Sequence, residues 1–243
     1  MTLSRKNRRP RFAVLLAVWL AVWLVGCAAA DDAAFNEAFE AAVEAEQALR
    51  ERALAVNEGE LRFLPGLLGE AGQHLHHHSN RITVTQQSLR DGWVLLQQCH
   101  ENLDPVGGLQ IVFNEGRSRG LEITTKRAIA EAWVEGVSLQ LRDIAEGSRI
   151  CLQLQSRALS TDGTGGYVLQ NGPYMRRFLD GYYPMRVSQH IVYPRGLEVG
   201  RILPDPQAGM RVTTAPGAID VETVFEGRLI TRFEFLPARA GPR

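Results

Sequence analysis

The chain has 243 residues, 45% of them hydrophobic and 22% charged, ordinary globular values that exclude a disordered or fibrous protein. Its formal charge of zero hides an asymmetry. Residues 1–26 hold five bases (Arg5, Lys6, Arg8, Arg9, Arg11) and no acid, so the remainder carries 22 basic against 27 acidic side chains. A mildly acidic chain gains nothing from a phosphate backbone, which excludes nucleic acid as a general partner.

The N-terminus reads as a signal segment over 1–26. A basic stretch, Arg5 to Arg11, leads into an unbroken apolar run from Phe12 to Val25. Those fourteen residues fall short of the roughly twenty that a helix needs to cross the hydrocarbon core. Leu24-Val25-Gly26-Cys27 then resembles the lipobox of bacterial lipoproteins. The resemblance implies transfer of diacylglycerol to the Cys27 thiol, cleavage before Cys27 and acylation of the new amine, with palmitate among the acyl chains. Several chains at about 0.8 kcal/mol per buried CH₂ give stable membrane anchoring. Ala28 resembles the residue after the cysteine in lipoproteins sent to the outer membrane, which places the mature chain there, facing the periplasm. A plain signal peptide or an uncleaved anchor is the competing reading, and Arg8-Arg9 hints at twin-arginine export.

Residues 27–72 read as a tether and helix. Residues 30–56 are rich in Ala and Glu with no Pro or Gly before Gly59, which predicts a helix. Phe35, Phe39, Ala42, Glu46, Leu49, Ala53 and Val56 recur in heptad steps, interrupted by the charge of Glu46. The helix is a spacer or a coiled-coil contact. Residues 61–72, broken by Gly and Pro, form a connector.

From Arg81 the period becomes two. Ile82 and Val84, then Leu109, Ile111 and Phe113, then Leu121 and Ile123, then Val137, Leu139 and Leu141, then Ile150, Leu152 and Leu154 alternate with polar residues. Gly punctuation separates the runs. The expected fold class is mainly β: an N-terminal helix followed by antiparallel, sandwich-like domains. A Gly-rich break at 160–173 divides 73–159 from 160–243, giving two β domains or two halves of one unit. Near the end, Glu226-Gly227-Arg228 predicts a three-residue hairpin loop, setting Val221 against Phe233 and Glu222 against Arg232.

With Cys27 assigned to lipid, Cys99 and Cys151 remain as an even pair in an oxidising compartment, and a disulfide is expected. Strand parity puts Cys151 on the polar Gln153/Gln155 face, where a bridge explains it better than a free thiol. No C-x-x-C motif is present, so redox catalysis is not expected.

Three stretches carry candidate chemistry. Gly116-Arg117-Ser118-Arg119-Gly120 matches G-x-S-x-G, yet strand-like residues stand on both sides where a nucleophile elbow needs a following helix. It reads as a hairpin connection. His74, His76, His77 and His78 form the densest set of possible metal ligands, with His74, His76 and His78 as weak candidates and a polar loop as the competing reading. Adjacent histidines on a strand point to opposite faces, and His100 joins them only through tertiary folding. Residues 172–185 gather Tyr174, Arg176, Arg177, Tyr182 and Tyr183, a composition that suits a binding surface. The alternative is a packed corner, with Arg176 or Arg177 paired to Asp180.

The leading functional expectation is a non-enzymatic lipoprotein that binds an envelope protein or glycan, attached to the membrane through its lipid and using no cofactor. An envelope enzyme with an acid/base site assembled by the fold, and a metal-binding lipoprotein using the His cluster, are the alternatives.

Overall fold

A computed structural model describes residues 59–238, save Leu179, together with Glu37, Glu40, Ala41, Val43 and Glu44. Cys27, the signal segment and most of the expected helix lie outside the described residues; the five isolated positions are helical. Residues 56–243 form one compact unit and 1–55 another.

The larger unit is mainly β. Its strands are β1 (Arg62–Phe63), β2 (His77–Thr83), β3 (Trp93–Glu101), β4 (Gly108–Val112), β5 (Ser118–Glu135), β6 (Ser138–Arg157), β7 (Leu159–Thr161) and β8 (Tyr167–Tyr174). They continue as β9 (Arg176–Phe178), β10 (Gly181–Tyr183), β11 (Met185–Val192), β12 (Leu197–Leu203), β13 (Met210–Ala215), β14 (Ala218–Glu226) and β15 (Leu229–Pro237). The large sheet runs β14-β11-β2-β3-β6, with β1 and β13 flanking β14 and with β4 and β5 flanking β6. A second sheet runs β12-β15-β8-β7, and β9 with β10 makes a short ribbon. Pairing is antiparallel except between β2 and β11, which are parallel. Strands from both sides of the Gly-rich break therefore share one sheet within this unit.

Rungs across the large sheet explain the core. Ile219, Ile191, Ile82, Leu96 and Leu154 stand in register on adjacent strands, and all share one face. Phe233, Phe235 and Leu169 of the second sheet belong to the same apolar cluster as Ile82, Ile191 and Val221. The period-two pattern read in the sequence supplies both faces of this core.

The expected hairpin at 226–228 does not form. β14 pairs with β11 and β13, whereas β15 pairs with β12 and β8. Val221 and Phe233 share the core from different sheets, Glu222 pairs with Arg186 and Arg211, and Arg232 pairs with Glu234. Alternation says which face of a strand is apolar; two such faces are satisfied equally side by side or face to face. The turn is an arch, and Gly227 fixes it. Its φ is 88°, and a Cβ there would stand 1.9 Å from the Glu60 carbonyl oxygen. Gly227→Ala is expected to cost about 3 kcal/mol or more, from left-handed strain plus a backbone clash. Urea denaturation of the variant checks this, and a loss below about 1 kcal/mol would contradict the arch.

The runs at 137–142 and 150–155 are one strand, β6, bent on itself. Ala145–Ser148 of β6 oppose Ala128 alone on β5, a large bulge with positive φ at Ala128, Asp143 and Gly147. Leu139, Leu141 and Ile144 before it join Ile150, Leu152 and Leu154 after it in one cluster. The bend also explains the Ser118 connection. Val112 of β4 opposes Ser138 and Ser118 of β5 opposes Ser156, at opposite ends of β6. Laid flat, those ends would be ~60 Å apart, against ~17 Å for a five-residue link. The link passes from one flank of β6 to the other, so it is a crossover and not the expected hairpin.

Candidate functional site

Two strands bring the histidines together. His76 lies just ahead of β2, and its carbonyl accepts from the Arg186 amide at 2.9 Å, which keeps it in line with the strand. Parity then sends His76, His78 and Asn80 to the inner face and His77 to the outer one. There His77 Nε2 meets Ser188 Oγ at 2.9 Å. The β2–β3 register sets His100 opposite His78 and Gln98 opposite Asn80. The expected polar loop is thus largely a central strand, because its register partners are buried. His74 is exposed and stays outside the group.

One rung of the inner face is polar: Gln189, Asn80 and Gln98 stand in register between Val221 and Leu152. All three polar side chains are buried, as are His100, Asn171 and Thr231. Their hydrogen bonds order the protons. Asn80 Nδ2 donates to the Tyr174 hydroxyl at 3.3 Å, which leaves Asn80 Oδ1 to accept from His78 Nε2 at 3.2 Å. Gln98 Nε2 donates to His100 Nε2 at 2.7 Å, so His100 holds its proton on Nδ1 and gives it to His76 Nε2 at 3.1 Å. Gln189 Nε2 donates to the Tyr174 hydroxyl at 2.7 Å and to Thr231 Oγ1 at 3.0 Å. The His78 and His100 rings lie 4.2 Å apart, and Tyr174 meets His78 edge-on at 5.0 Å.

The imidazoles are uncharged at neutral pH. Burial, helped by the Arg176 guanidinium, lowers His76 to about 4. Burial and the neighbouring His76 lower His78 to about 3, and burial with His78 beside it holds His100 well below its ordinary value. Burial also raises the Tyr174 phenol. Two buried polar atoms of this layer have no hydrogen-bond partner, Asn171 Nδ2 and Gln189 Oε1. An unpaired buried donor or acceptor costs about 1–3 kcal/mol.

The layer opens on a cleft of about 720 Å³. Its floor is His76, His78, Gln98 and His100, running to apolar Leu96 and Leu154; one wall is 109–114 and the other 170–178. Val112, Met175 and Ile230 stand on its lining with 68%, 41% and 47% of their surface exposed, a solvent-facing apolar rim. At the histidine end Arg176 donates through Nε to Asp104 Oδ2 at 3.0 Å, makes a second bond to the same carboxylate, and gives Nη1 to the Pro184 carbonyl.

The Tyr/Arg segment is split by this arrangement. Tyr174 is buried in the polar layer, Tyr182 is buried with its ring against Gly59, and Tyr183 is half-buried. Arg177 is exposed, and Arg176 is paired to Asp104 and not to Asp180. The expected binding surface over these five residues is therefore divided, with Tyr174 and Tyr182 buried and Arg177 exposed. Ser118 opens β5 at the far end of the cleft, where a strand follows it and not a helix. Among the described residues no three His, Cys, Asp or Glu side chains are grouped to hold a metal ion.

Cys99 and Cys151 are directly opposed on β3 and β6 and bonded, with S–S at 2.11 Å. They lie behind the floor, on the face of Gln97 and Gln153. That outer face also holds a groove of about 480 Å³, in which Arg186 and Arg211 pair with Glu222, and His190 Nδ1 stands 2.6 Å from Asp220 Oδ1.

Sequence reasoning missed Gln98, Asn80, Asn171 and Gln189, and named His100 only as a residue that tertiary folding brings to the cluster. The signal was parity: Gln98 and His100 continue the buried face begun by Val94 and Leu96. No protein-family model, curated protein or solved structure matches this chain.

Proposed function

We propose that the protein is a lipid-anchored outer-membrane lipoprotein facing the periplasm, and that the cleft is its non-enzymatic binding site for an envelope protein or glycan. The observation that carries the reading is the uncharged polar layer, in which Asn171 Nδ2 is buried without a partner on a residue that lines an open cleft. Folding gains nothing from an unpaired amide, whereas a ligand that supplies the partner does. The sandwich-like layering, supported by the core common to both sheets, holds this layer rigid. The Cys99–Cys151 bond suits an oxidising compartment, and Cys27 supplies the anchor. Binding fits better than catalysis, because imidazoles lowered to about 4 and about 3 are weak bases where a general base should be poised near 7.

Photo-crosslinking in the native membrane tests the reading. A crosslinker replacing Met175 or Ile230 on the rim should capture a defined adduct, and one replacing the exposed, remote Leu236 should not. Equal capture from all three positions, or none from the rim, would remove the proposal. Loss of palmitate labelling in Cys27→Ser tests the anchor separately.

Asn171→Leu provides a second prediction. Removing an unpaired buried donor is expected to stabilise the fold by about 1 kcal/mol or more while the rim adduct falls several-fold. A destabilised variant with undiminished capture would show that the amide serves only the fold.

A further inference from the structure

We propose that the occupant of the cleft is an extended peptide segment of another protein, which adds to β4 as a new strand. This rests on the binding reading above and names its ligand class.

The first observation is the free edge of β4. Phe113 N donates to Val137 O at 2.9 Å, and Asp143 N donates to Gly107 O at 3.0 Å. Both pairs follow the β4–β6 register, in which Gly108 opposes Arg142 and Val112 opposes Ser138. Hydrogen-bonded pairs alternate along an antiparallel ladder. The odd residues of β4 therefore bond to β6, and Gly108, Gln110 and Val112 turn their N–H and C=O groups the other way. No other strand among the described residues pairs with β4, and these three residues are exposed.

The second observation is where that edge lies. All six consecutive residues from Leu109 to Asn114 line the cleft, and so do all nine from Gln170 to Phe178. A strand that presented a face would contribute alternate residues only. Residues of both parities mean that the backbone itself borders the cavity.

The third observation is the chemistry between the walls. The lining carries Gln98, Gln110, Gln170, Asn80 and Asn171, and the imidazoles are neutral. A carboxamide offers one donor group and one acceptor, as a peptide unit does, and Asn171 Nδ2 is a buried donor with nothing to bond. The charged residues of the lining are Asp104 with its partner Arg176, and Arg117 and Arg177, and the uncharged carboxamides between the walls match backbone amides. The exposed rim of Val112, Met175 and Ile230 meets apolar side chains on alternate positions of the incoming strand.

The test uses the mature chain and a fluorescein-labelled, end-capped (Thr-Val)₄ peptide with flanking lysines, followed by anisotropy and by amide hydrogen exchange. The peptide should bind and slow exchange at Gly108, Gln110 and Val112 by tenfold or more. A version N-methylated at alternate residues should bind at least tenfold more weakly. Val112→Pro deletes an outward N–H and no bond to β6, so it should fold normally and bind at least tenfold more weakly, whereas Leu236→Ala, at an exposed position off the cleft, should bind as the native chain does. Equal binding of the N-methylated peptide, or protection that avoids β4, overturns the proposal. So does binding of laurate or N,N′-diacetylchitobiose in place of the peptide. If the peptide fails while the rim photo-adducts persist, the strand-addition inference falls and the binding function stands. If the rim adducts are also missing, both fall.

Discussion

Lowering the pH from 7.5 to 5.5 is expected to remove about 3 kcal/mol of stability from the β unit. The source is the histidine group under the cleft. In the unfolded chain each imidazole takes up its proton near 6.5. In the fold, burial holds His76 to about 4, His78 to about 3 and His100 well below its usual value. Over this window the unfolded state gains protons that the folded state refuses. Stability is therefore complete above about pH 7.5 and falls as the pH descends through 6.5 toward the folded values. The buried His100 contributes about 1.4 kcal/mol across those two pH units, and the half-buried His76 and His78 contribute less because solvent screens them. Urea midpoints at pH 7.5, 6.5 and 5.5 measure the loss. Replacing His76, His78 and His100 together by Gln should flatten the profile. A midpoint that ignores pH in the native chain, or imidazoles that titrate near 6.5 by NMR, would refute the argument.

Removing the disulfide should have an effect of similar size. Cys99 and Cys151 are separated by 52 positions, and closing such a loop is worth about 4 kcal/mol in the chain-entropy model. The bond also has a local role. It ties β3 to β6 directly behind the floor, beside Gln98 and His100, whose mutual hydrogen bond orders the polar layer. The double variant Cys99→Ala, Cys151→Ala is expected to unfold at a clearly lower urea concentration. Its amide exchange should rise first along β3 and the adjoining part of β6. Two thiols that alkylate in the native protein without a reductant would show that the bond does not form.

The two expectations test different parts of one arrangement. Acid probes the desolvation of the inner face, and reduction probes the clamp on the outer face. A fold that survives both unchanged would have neither a dry polar layer nor a clamp.

Much of this molecule was legible in its sequence because period two is a local property. Ile82, Ile150, Leu152 and Leu154 alternate with polar neighbours, and all four are buried. The pairing of Cys99 with Cys151 followed from counting and parity. Within the Gly-rich break at 160–173, Asp162 accepts the Thr164 and Gly166 amides and closes a turn between β7 and β8. Each of these depends on residues near one another in the chain, or on the bare fact that two thiols remain.

The tertiary structure decided which strand lies beside which, and with it the site. Val221 and Phe233 alternate correctly for a hairpin, yet they meet across two sheets, because burial rewards either contact and the clamp of Glu60 on Gly227 selects the arch. His100 meets His78 only through the β2–β3 register, and Gln189 meets Asn80 only because β11 lies parallel to β2 after a connection of about a hundred residues. The bend of β6, set by four residues opposing one, folds β4 toward the polar face and turns a flat sheet into a cleft. Side-chain direction is fixed by a residue's immediate neighbours, so the sequence determined the faces. Strand adjacency is fixed by long-range burial and register, so only the folded chain determined what those faces enclose.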